Sequence, residues 1–254
     1  MSDILTINPE QEKTRIQSFL KKTFDEQKIN HAVIGLSGGI DSTVSFFLLK
    51  DILPVENIHV THMYYLQPVF SEMEKVVNET GIPKENIHVV SIRDAVDEAA
   101  KINSVGDSEN DKIRIGNIAA RMRMIILFDL AKKHNALVVG TENHTEYLLS
   151  YFTRFGDQAS DIEPIEHLYK TQVYQLAKYL GVPETIIGQN PTAGLWQGQT
   201  DEGEFGFSYA EADQVLYLST EKNISTEEIV KQGFANAEKI LQWRQKNLFK
   251  HQTP

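Results

Sequence analysis

His31-Ala-Val-Ile-Gly-Leu-Ser-Gly-Gly-Ile-Asp-Ser-Thr43 opens as an apolar run, breaks into a glycine loop and restarts as a helix. Val33, Ile34 and Leu36 suit a buried strand. Gly38 and Gly39 let the backbone approach a ligand closely, while Ser37, Ser42 and Thr43 supply hydroxyls. The N–H groups opening the next helix, expected from Ser42 to Asp51, would point at an anion. The stretch therefore predicts a strand-loop-helix phosphate cradle. Asp41 sets a carboxylate beside it, a pairing that usually needs a divalent cation between the two charges.

Two familiar phosphate loops fail against this pattern. A Walker A loop needs a lysine before its closing hydroxyl, and none follows Gly39. A dinucleotide fingerprint needs Gly-x-Gly-x-x-Gly and an acid ending the second strand. Here the glycines are Gly35, Gly38 and Gly39, and His59 to Tyr64 carries no acid. Ser37-Gly-Gly-Ile-Asp-Ser42 instead resembles the pyrophosphatase loop of enzymes that split ATP into AMP and pyrophosphate to activate a carbonyl or carboxylate. A mere connecting turn has no use for an acid and three hydroxyls together.

Outward from the loop, strand and helix alternate. Asn8 and Pro9 read as N-cap and first residue of a helix with Ile16, Phe19, Leu20 and Phe24 on one face. After the loop, Val44, Phe47, Leu48 and Leu49 pack the next helix on the sheet. Strands are expected at Asn57 to Tyr65 and Asn86 to Ile92, separated by a helix from Val69 to Glu79 that Gly81 and Pro83 stop. Ala99 to Lys112 is polar, acidic and turn-rich, and reads either as a surface loop or as a lid over the nucleotide. The helix expected from Lys112 to Asn135 carries Arg114, Arg121 and Arg123 near its start, against the helix dipole, so anion binding or a subunit interface must explain them.

Strand four, Ala136 to Thr141, runs straight into Glu142-Asn-His-Thr-Glu146. If strand order reverses between strands one and four, Thr141 to Glu146 faces the glycine loop across a ligand crevice. Asp41 and Glu146 then become two carboxylates able to hold one Mg²⁺ that also binds phosphate oxygens, with a solvated glutamate as the plain alternative. His144 reads as a surface or packing residue. The fold expected is α/β, a doubly wound, mostly parallel five-stranded sheet with helices on both faces, Rossmann-like and of ATP pyrophosphatase type, plus a helical C-terminal extension. It is expected as one domain: an N-terminal helix in 1–30, a nucleotide-binding core in 31–192, and a lid loop with C-terminal helices in 193–254.

Composition limits the function. The 254 residues, 41% hydrophobic and 24% charged, suit a water-soluble globular chain. No apolar run reaches membrane-spanning length and the N-terminus lacks the marks of a signal peptide, so a cytoplasmic protein with no membrane partner is expected. The net charge of -10 argues against a nucleic-acid partner. Zero cysteines exclude disulfides, thiolate metal sites and a cysteine nucleophile.

Further motifs follow in order: Gly116-Asn-Ile-Ala-Ala-Arg-Met-Arg-Met124, Val139-Gly-Thr141, Glu146, Phe152-Thr-Arg-Phe-Gly-Asp157, Asp161, Pro164, Lys170 and Pro191-Thr-Ala193. With the loop, they resemble the ammonia-dependent NAD synthetases over roughly Val33 to Asp213. The resemblance implies adenylation of the nicotinate carboxylate of deamido-NAD by ATP, then displacement of AMP by ammonia, in a dimeric protein. It implies that Gly35, Leu36, Ser37, Gly38, Gly39, Ile40, Asp41 and Ser42 hold the ATP phosphates, with contacts from Thr141, Lys170 and Thr192. Asp41 and Glu146 would hold Mg²⁺. Arg121, Phe152, Arg154, Asp161 and Lys250 would hold deamido-NAD, and Asp157 and Asp41 would be the catalytic residues, Asp157 by binding ammonium and helping remove a proton.

The chain departs from the family's pattern at Arg154, where lysine is more usual, and at Phe249-Lys250, where a His-Lys pair is usual. Tyr64 to Pro68 also departs from the basic ATP-contacting stretch. An acidic pair of the family matches Asp201 and Glu202, within a second lid candidate running from Thr192 to Phe207; helices are expected at Tyr209 to Leu218 and Thr226 to Leu248. Glutamine-dependent relatives carry an amidase domain with a cysteine nucleophile, absent here, so free ammonia is the expected donor, unless a separate subunit delivers it. A tRNA-lysidine synthetase and a nucleotide-binding regulator without turnover are the rival readings.

Overall fold

The computed structural model describes residues 4–66, 71–192 and 198–251. The expected helix start at Val69 and residues 193–197 of the second lid candidate lie outside them. The first strand β1 (His31–Gly35) is central, with β2 (Ile58–Tyr64) on one side and β4 (Ala136–Val139) on the other; β3 (Ile87–Ser91) pairs outside β2. All three pairings are parallel, giving the order β3-β2-β1-β4. The order reverses at β1 and β4, so their C-terminal ends flank the crevice a doubly wound sheet offers to ligands.

Among the described residues four strands form the sheet, not the five expected. The chain returns to the outer edge of β4 only as a single parallel bridge, Val139 to Ile162. The Asp161 N–H donates to Val138 O at 2.9 Å and Gly140 N–H donates to Ile162 O at 2.9 Å. A side chain then takes over, since the Val138 N–H donates to Asp161 Oδ2 at 2.8 Å. Pro164, two residues on, has no N–H to continue a ladder.

Period-two alternation sends the strand residues to two cores. Ala32, Ile34, Ile58, Val60, Leu137 and Val139 face α1 (Pro9–Gln27), α2 (Ile40–Lys50), α3 (Ser71–Glu79), α7 (Lys170–Leu180) and α8 (Glu184–Ile187). Val33, Met63 and Val138 face α4 (Arg93–Ile102) and α5 (Glu109–His134). A third apolar cluster joins α6 (His144–Leu149) to α9 (Asp201–Phe205), α10 (Tyr209–Thr220), α11 (Thr226–Lys231) and α12 (Ala237–Asn247). α1 begins as its sequence predicts, with Pro9 in the first turn and Asn8 Oδ1 accepting the Gln11 N–H; Phe19, expected on the packed face, is exposed. Among the described residues, no helix is long and apolar enough to cross a membrane.

Local capping shortens the expected loops. α4 continues to Ile102 and α5 starts at Glu109 with a Ser108–Asp111 capping box, so of the first lid candidate only Asn103 to Ser108 lies outside helices. In the second, Gln199, Asp201, Phe205 and Phe207 are buried, the two phenylalanines within the third cluster. The long helix expected from Thr226 is two helices, divided where Gly233 takes a φ of +99°.

Candidate active site

The glycine loop holds its own shape. Gly38 takes a φ of +93°, which only glycine adopts without strain, and Gly39 is the N-cap of α2. Gly39 N–H donates to Ser37 Oγ at 3.1 Å, and the Ser42 and Thr43 hydroxyls donate to Gly39 O at 3.1 and 2.8 Å. The three hydroxyls therefore tie the loop together. Leu36 and Ile40 are buried and can offer a ligand only their backbone.

Asp41 emerges from the first turn of α2 and meets the opposite wall at two points. Asn143 Nδ2 donates to Asp41 Oδ1 at 2.9 Å, and Lys170 Nζ donates to Asp41 Oδ2 at 2.5 Å. Asn143 is also the N-cap of α6, where its Oδ1 accepts the Glu146 N–H in a reciprocal capping box. That box aims Glu146 inward, and its Oε1 lies 3.3 Å from Lys170 Nζ. Asp41 and Glu146 are thus brought together across the crevice, with an ammonium between them.

Lys170 starts α7 and is 1% exposed. Its backbone N–H donates to Thr145 Oγ1, whose hydroxyl donates to buried Asp213; the other Asp213 oxygen accepts the Thr171 N–H at 2.7 Å. Burial alone would lower the lysine's pKa, but Asp41 and Glu146 outweigh it and raise it above the ordinary value. Burial lifts Glu146 to about 7, opposed by Lys170 and helped by Asp41. Asp201 adds a third acid, raised by burial, that accepts the Tyr209 hydroxyl at 3.0 Å and the Tyr151 hydroxyl at 3.3 Å. The Tyr209 ring lies 5.0 Å from Lys170 Nζ. Thr141 is half-buried at the end of β4, and Thr192 is exposed.

The second group surrounds Asp157. Its Oδ1 accepts the Thr153 N–H at 3.0 Å, and Thr153 Oγ1 donates to Asn117 Oδ1 of α5 at 2.8 Å. Gly156 packs closely there, since a Cβ would come within 3.0–3.1 Å of the Thr153 and Ala120 side chains. Asp157 keeps a face open to solvent, yet the protein massed around it raises its carboxyl, with the Thr153 N–H and the Arg123 guanidinium pulling the other way. Arg121 Nε donates to Arg154 O at 3.3 Å and Arg123 Nε to Met63 O at 3.3 Å. Lys250 Nζ donates to Ser150 O and Phe152 O at 2.9 Å each, and His251 Nε2 lies 2.9 Å from Ser150 Oγ. The C-terminal residues therefore hold the buried Phe152 segment through its backbone.

Asp161 stands apart from both groups. Its carboxylate serves the β4 edge and lines a surface hollow with Phe128, Ala131, Asn135 and Ala136 near the start of that strand. His144 packs edge-on to Tyr169, and one of its ring nitrogens meets Glu166 O at 3.0 Å. Sequence reasoning missed Asn143, Tyr209, Thr145 and Asp213 as parts of the site. Asn143 had a local signal, the Asn-x-x-Glu spacing of a capping box, and Thr145 sits beside Glu146 on α6; Tyr209 and Asp213 come from the distant α10. A further acid pair was also missed. Buried Glu142 is pushed up to about 10 by burial and by Glu163, whose own carboxyl burial raises to about 8.

The sequence model of the NAD synthase family matches residues 12–254. The NH3-dependent NAD(+) synthetase of Fusobacterium nucleatum is 40% identical over 91% of this chain and 88% of its own. That of Thermoplasma acidophilum is 43% identical over 81% and 83%. Among solved structures, an NMN synthetase from Francisella tularensis has a TM-score of 0.83 at 31% identity, covering 98% of both chains. An NH3-dependent NAD synthetase from Campylobacter jejuni, in complex with the nitrate ion, has a TM-score of 0.79 at 28% identity and the same coverage.

Proposed function

The chain belongs to the NAD synthase family, and from that premise we propose that its cleft amidates deamido-NAD with ammonia at the expense of ATP, giving NAD, AMP and pyrophosphate in the last step of NAD formation. The observation that carries this reading at the level of residues is the placement of Asp41, Glu146 and Lys170 together at the mouth of the glycine loop.

The nicotinate carboxylate attacks the α-phosphorus, the bond to the pyrophosphate oxygen breaks, and an acyl adenylate forms. The nitrogen lone pair of ammonia then adds to the acyl carbon, and the C–O bond to AMP breaks while the nitrogen loses a proton. Residues 35–42, Thr141 and Thr192 would hold ATP, with the backbone N–H groups opening α2 directed at its phosphates. Lys170, kept protonated by its acid neighbours, would give the phosphates a fixed positive charge. Arg121, Phe152, Arg154 and Lys250 would bind deamido-NAD, the last through the Phe152 segment it secures, while Asp161, at the β4 edge, would contact it apart from these residues. Asp157 would bind ammonium and take up its proton, since ammonium has no lone pair with which to attack.

The acids at the loop fit a hard divalent cation. Asp41, Glu146 and Asp201 set three carboxyl groups against one ammonium, and oxygen donors of this kind suit Mg²⁺. Asp41 and Glu146 would hold it, and when bound it supplies charge neutralisation for the phosphates. We also assign the chain to the cytoplasm and treat 1–30, 31–192 and 193–254 as parts of one domain, supported by the shared core of α1, α2 and α7. A homodimer is proposed, with the exposed apolar Ile113 and Ile125 of α5 in its interface.

Incubation with ATP, Mg²⁺, deamido-NAD and ammonium tests the reading: NAD, AMP and pyrophosphate should form in equal amounts, and failure to form them overturns it. Nicotinic acid mononucleotide serves as the competing substrate, since one solved relative is an NMN synthetase.

A further inference from the structure

Four of the chain's eight histidines, His31, His59, His88 and His134, collect at the edge of the sheet opposite the glycine loop. His31 opens β1, His59 and His88 are the second residues of β2 and β3, and His134 closes α5 just before β4. Alternation places His31 with Val33, His59 with Thr61 and Met63, and His88 with Val90, on the sheet face that α4 and α5 cover. The His59 and His134 rings stack at 3.8 Å, and the rings of His31 and His88 lie 6.1 and 5.9 Å from that of His59.

Each of the four rings has a buried nitrogen with no hydrogen-bond partner: Nδ1 of His31 and His59, Nε2 of His88 and His134. Buried polar atoms are rarely left this way, because desolvation is not repaid. His59 is 4% exposed. His62 turns one nitrogen to Leu36 O, whereas His59, His88 and His134 bring ring nitrogens close to one another.

We propose that His59, His88 and His134 form a binding site for a first-row divalent metal ion of the zinc class, with His31 beside it, separate from the catalytic cleft. Each of the three offers a ring nitrogen, and the three atoms lie within 4.8 Å of one another. An ion at their centre is then at most about 2.8 Å from each, so shifts of under about 1 Å give Zn–N bonds of 2.0–2.1 Å. Neutral imidazole is the ligating form and the set selects zinc, nickel or copper over Mg²⁺, which prefers oxygen. Burial and the neighbouring imidazoles hold His59 down at about 4, so it is neutral at pH 7. The C-terminal end of α5 adds the negative end of a helix dipole, while exposed Lys133 is the opposing charge. Three protein ligands leave a fourth position for water or His31. The ion would fasten β2 and β3 to the end of α5.

The test is zinc binding to the chelator-stripped full chain, measured by calorimetry in excess Mg²⁺ and by the visible spectrum of Co²⁺ in its place. One equivalent of Zn²⁺ should bind, the melting temperature should rise with it, and Co²⁺ should give the intense bands of a low-coordinate nitrogen site. His134→Asn and His88→Asn should each weaken binding at least about tenfold. Asp41→Asn should leave it unchanged, since the length of β1, roughly 13 Å, separates the two ends of the sheet. The metal-free histidine variants should keep their circular dichroism and their synthetase turnover, so loss of binding is not loss of fold. No zinc equivalent in the wild type overturns the proposal, as does zinc that both histidine variants retain or that Asp41→Asn loses.

Discussion

Glu142→Gln should stabilise the fold, and more so as the pH rises. Glu142 is 7% exposed and its Oε1 has no hydrogen-bond partner. Burial, and then the nearby Glu163, push its pKa from 4.5 to about 10. Between those values the folded chain keeps a proton that the unfolded chain has lost, so stability falls with rising pH across that window. Each unit costs about 1.4 kcal/mol for one proton, so from about pH 5.5 to about pH 7.5 the wild type loses about 2.7 kcal/mol through this group. Glutamine keeps the shape and does not titrate. The gain from the substitution should therefore be larger at the higher pH by up to that amount, about 5–11 °C in melting temperature for a chain of this size. Urea titrations of both proteins at both pH values and one protein concentration read the difference directly, since every other titration is common to the two. An equal gain at the two pH values would refute a neutral, buried Glu142.

Lys170→Met should abolish amide synthesis and cost about 3–5 kcal/mol by leaving Asp41 and Glu146 without their buried cation; added Mg²⁺ should raise the variant's melting temperature more than the wild type's. Asp157→Asn should lower turnover at saturating ammonium by about 10²–10⁴. In the wild type, kcat/KM for ammonium should fall on acidification at a higher pH than an ordinary aspartate would give, because burial raises the carboxyl, and a pH–rate profile that keeps this limb in Asp157→Asn would remove Asp157 from the role. Asn143→Ala should cost about 1 kcal/mol through the lost cap of α6. It should also raise KM for ATP more than it lowers kcat, measured by steady-state kinetics, because Asp41 loses the amide that orients it.

The parts of this molecule written locally were legible before its structure. The loop from Ser37 to Ser42, the strand before it and the alternation around it are short-range patterns, and they led to a parallel sheet with the correct reversal between β1 and β4. The expected fifth strand had no segment assigned to it, and the chain supplies only a bridge at Ile162, where Asp161 turns its own carboxylate onto the Val138 N–H. The loop hydroxyls were legible as polar but not as self-satisfied; that required knowing that Gly39 O turns back toward Ser42 and Thr43. Lys170 shows the same limit. A lysine opening a helix reads as exposed, and only three acids from other segments, Asp41, Glu146 and Asp201, make its burial tolerable.

The arginines of α5 show what a local conflict can signal. The helix dipole disfavours cations early in a helix, and Arg114 is explained within it, through its pair with Asp111 at 2.7 Å. Arg121 and Arg123 sit further along and donate outward, to Arg154 O and to Met63 O near the end of β2. Burial lowers the pKa of the Arg123 guanidinium while Asp157 opposes the shift, so each charge eases the cost of confining the other. Packing of α5 on the sheet explains its alanines but not a desolvated guanidinium. A carboxylate that stands in a crowded crevice does: the Thr153 N–H and, with a smaller pull, the Arg123 guanidinium oppose the rise that burial imposes on Asp157. Arg123, at the middle of α5, thus answers to the carboxylate beside it and not to the helix dipole.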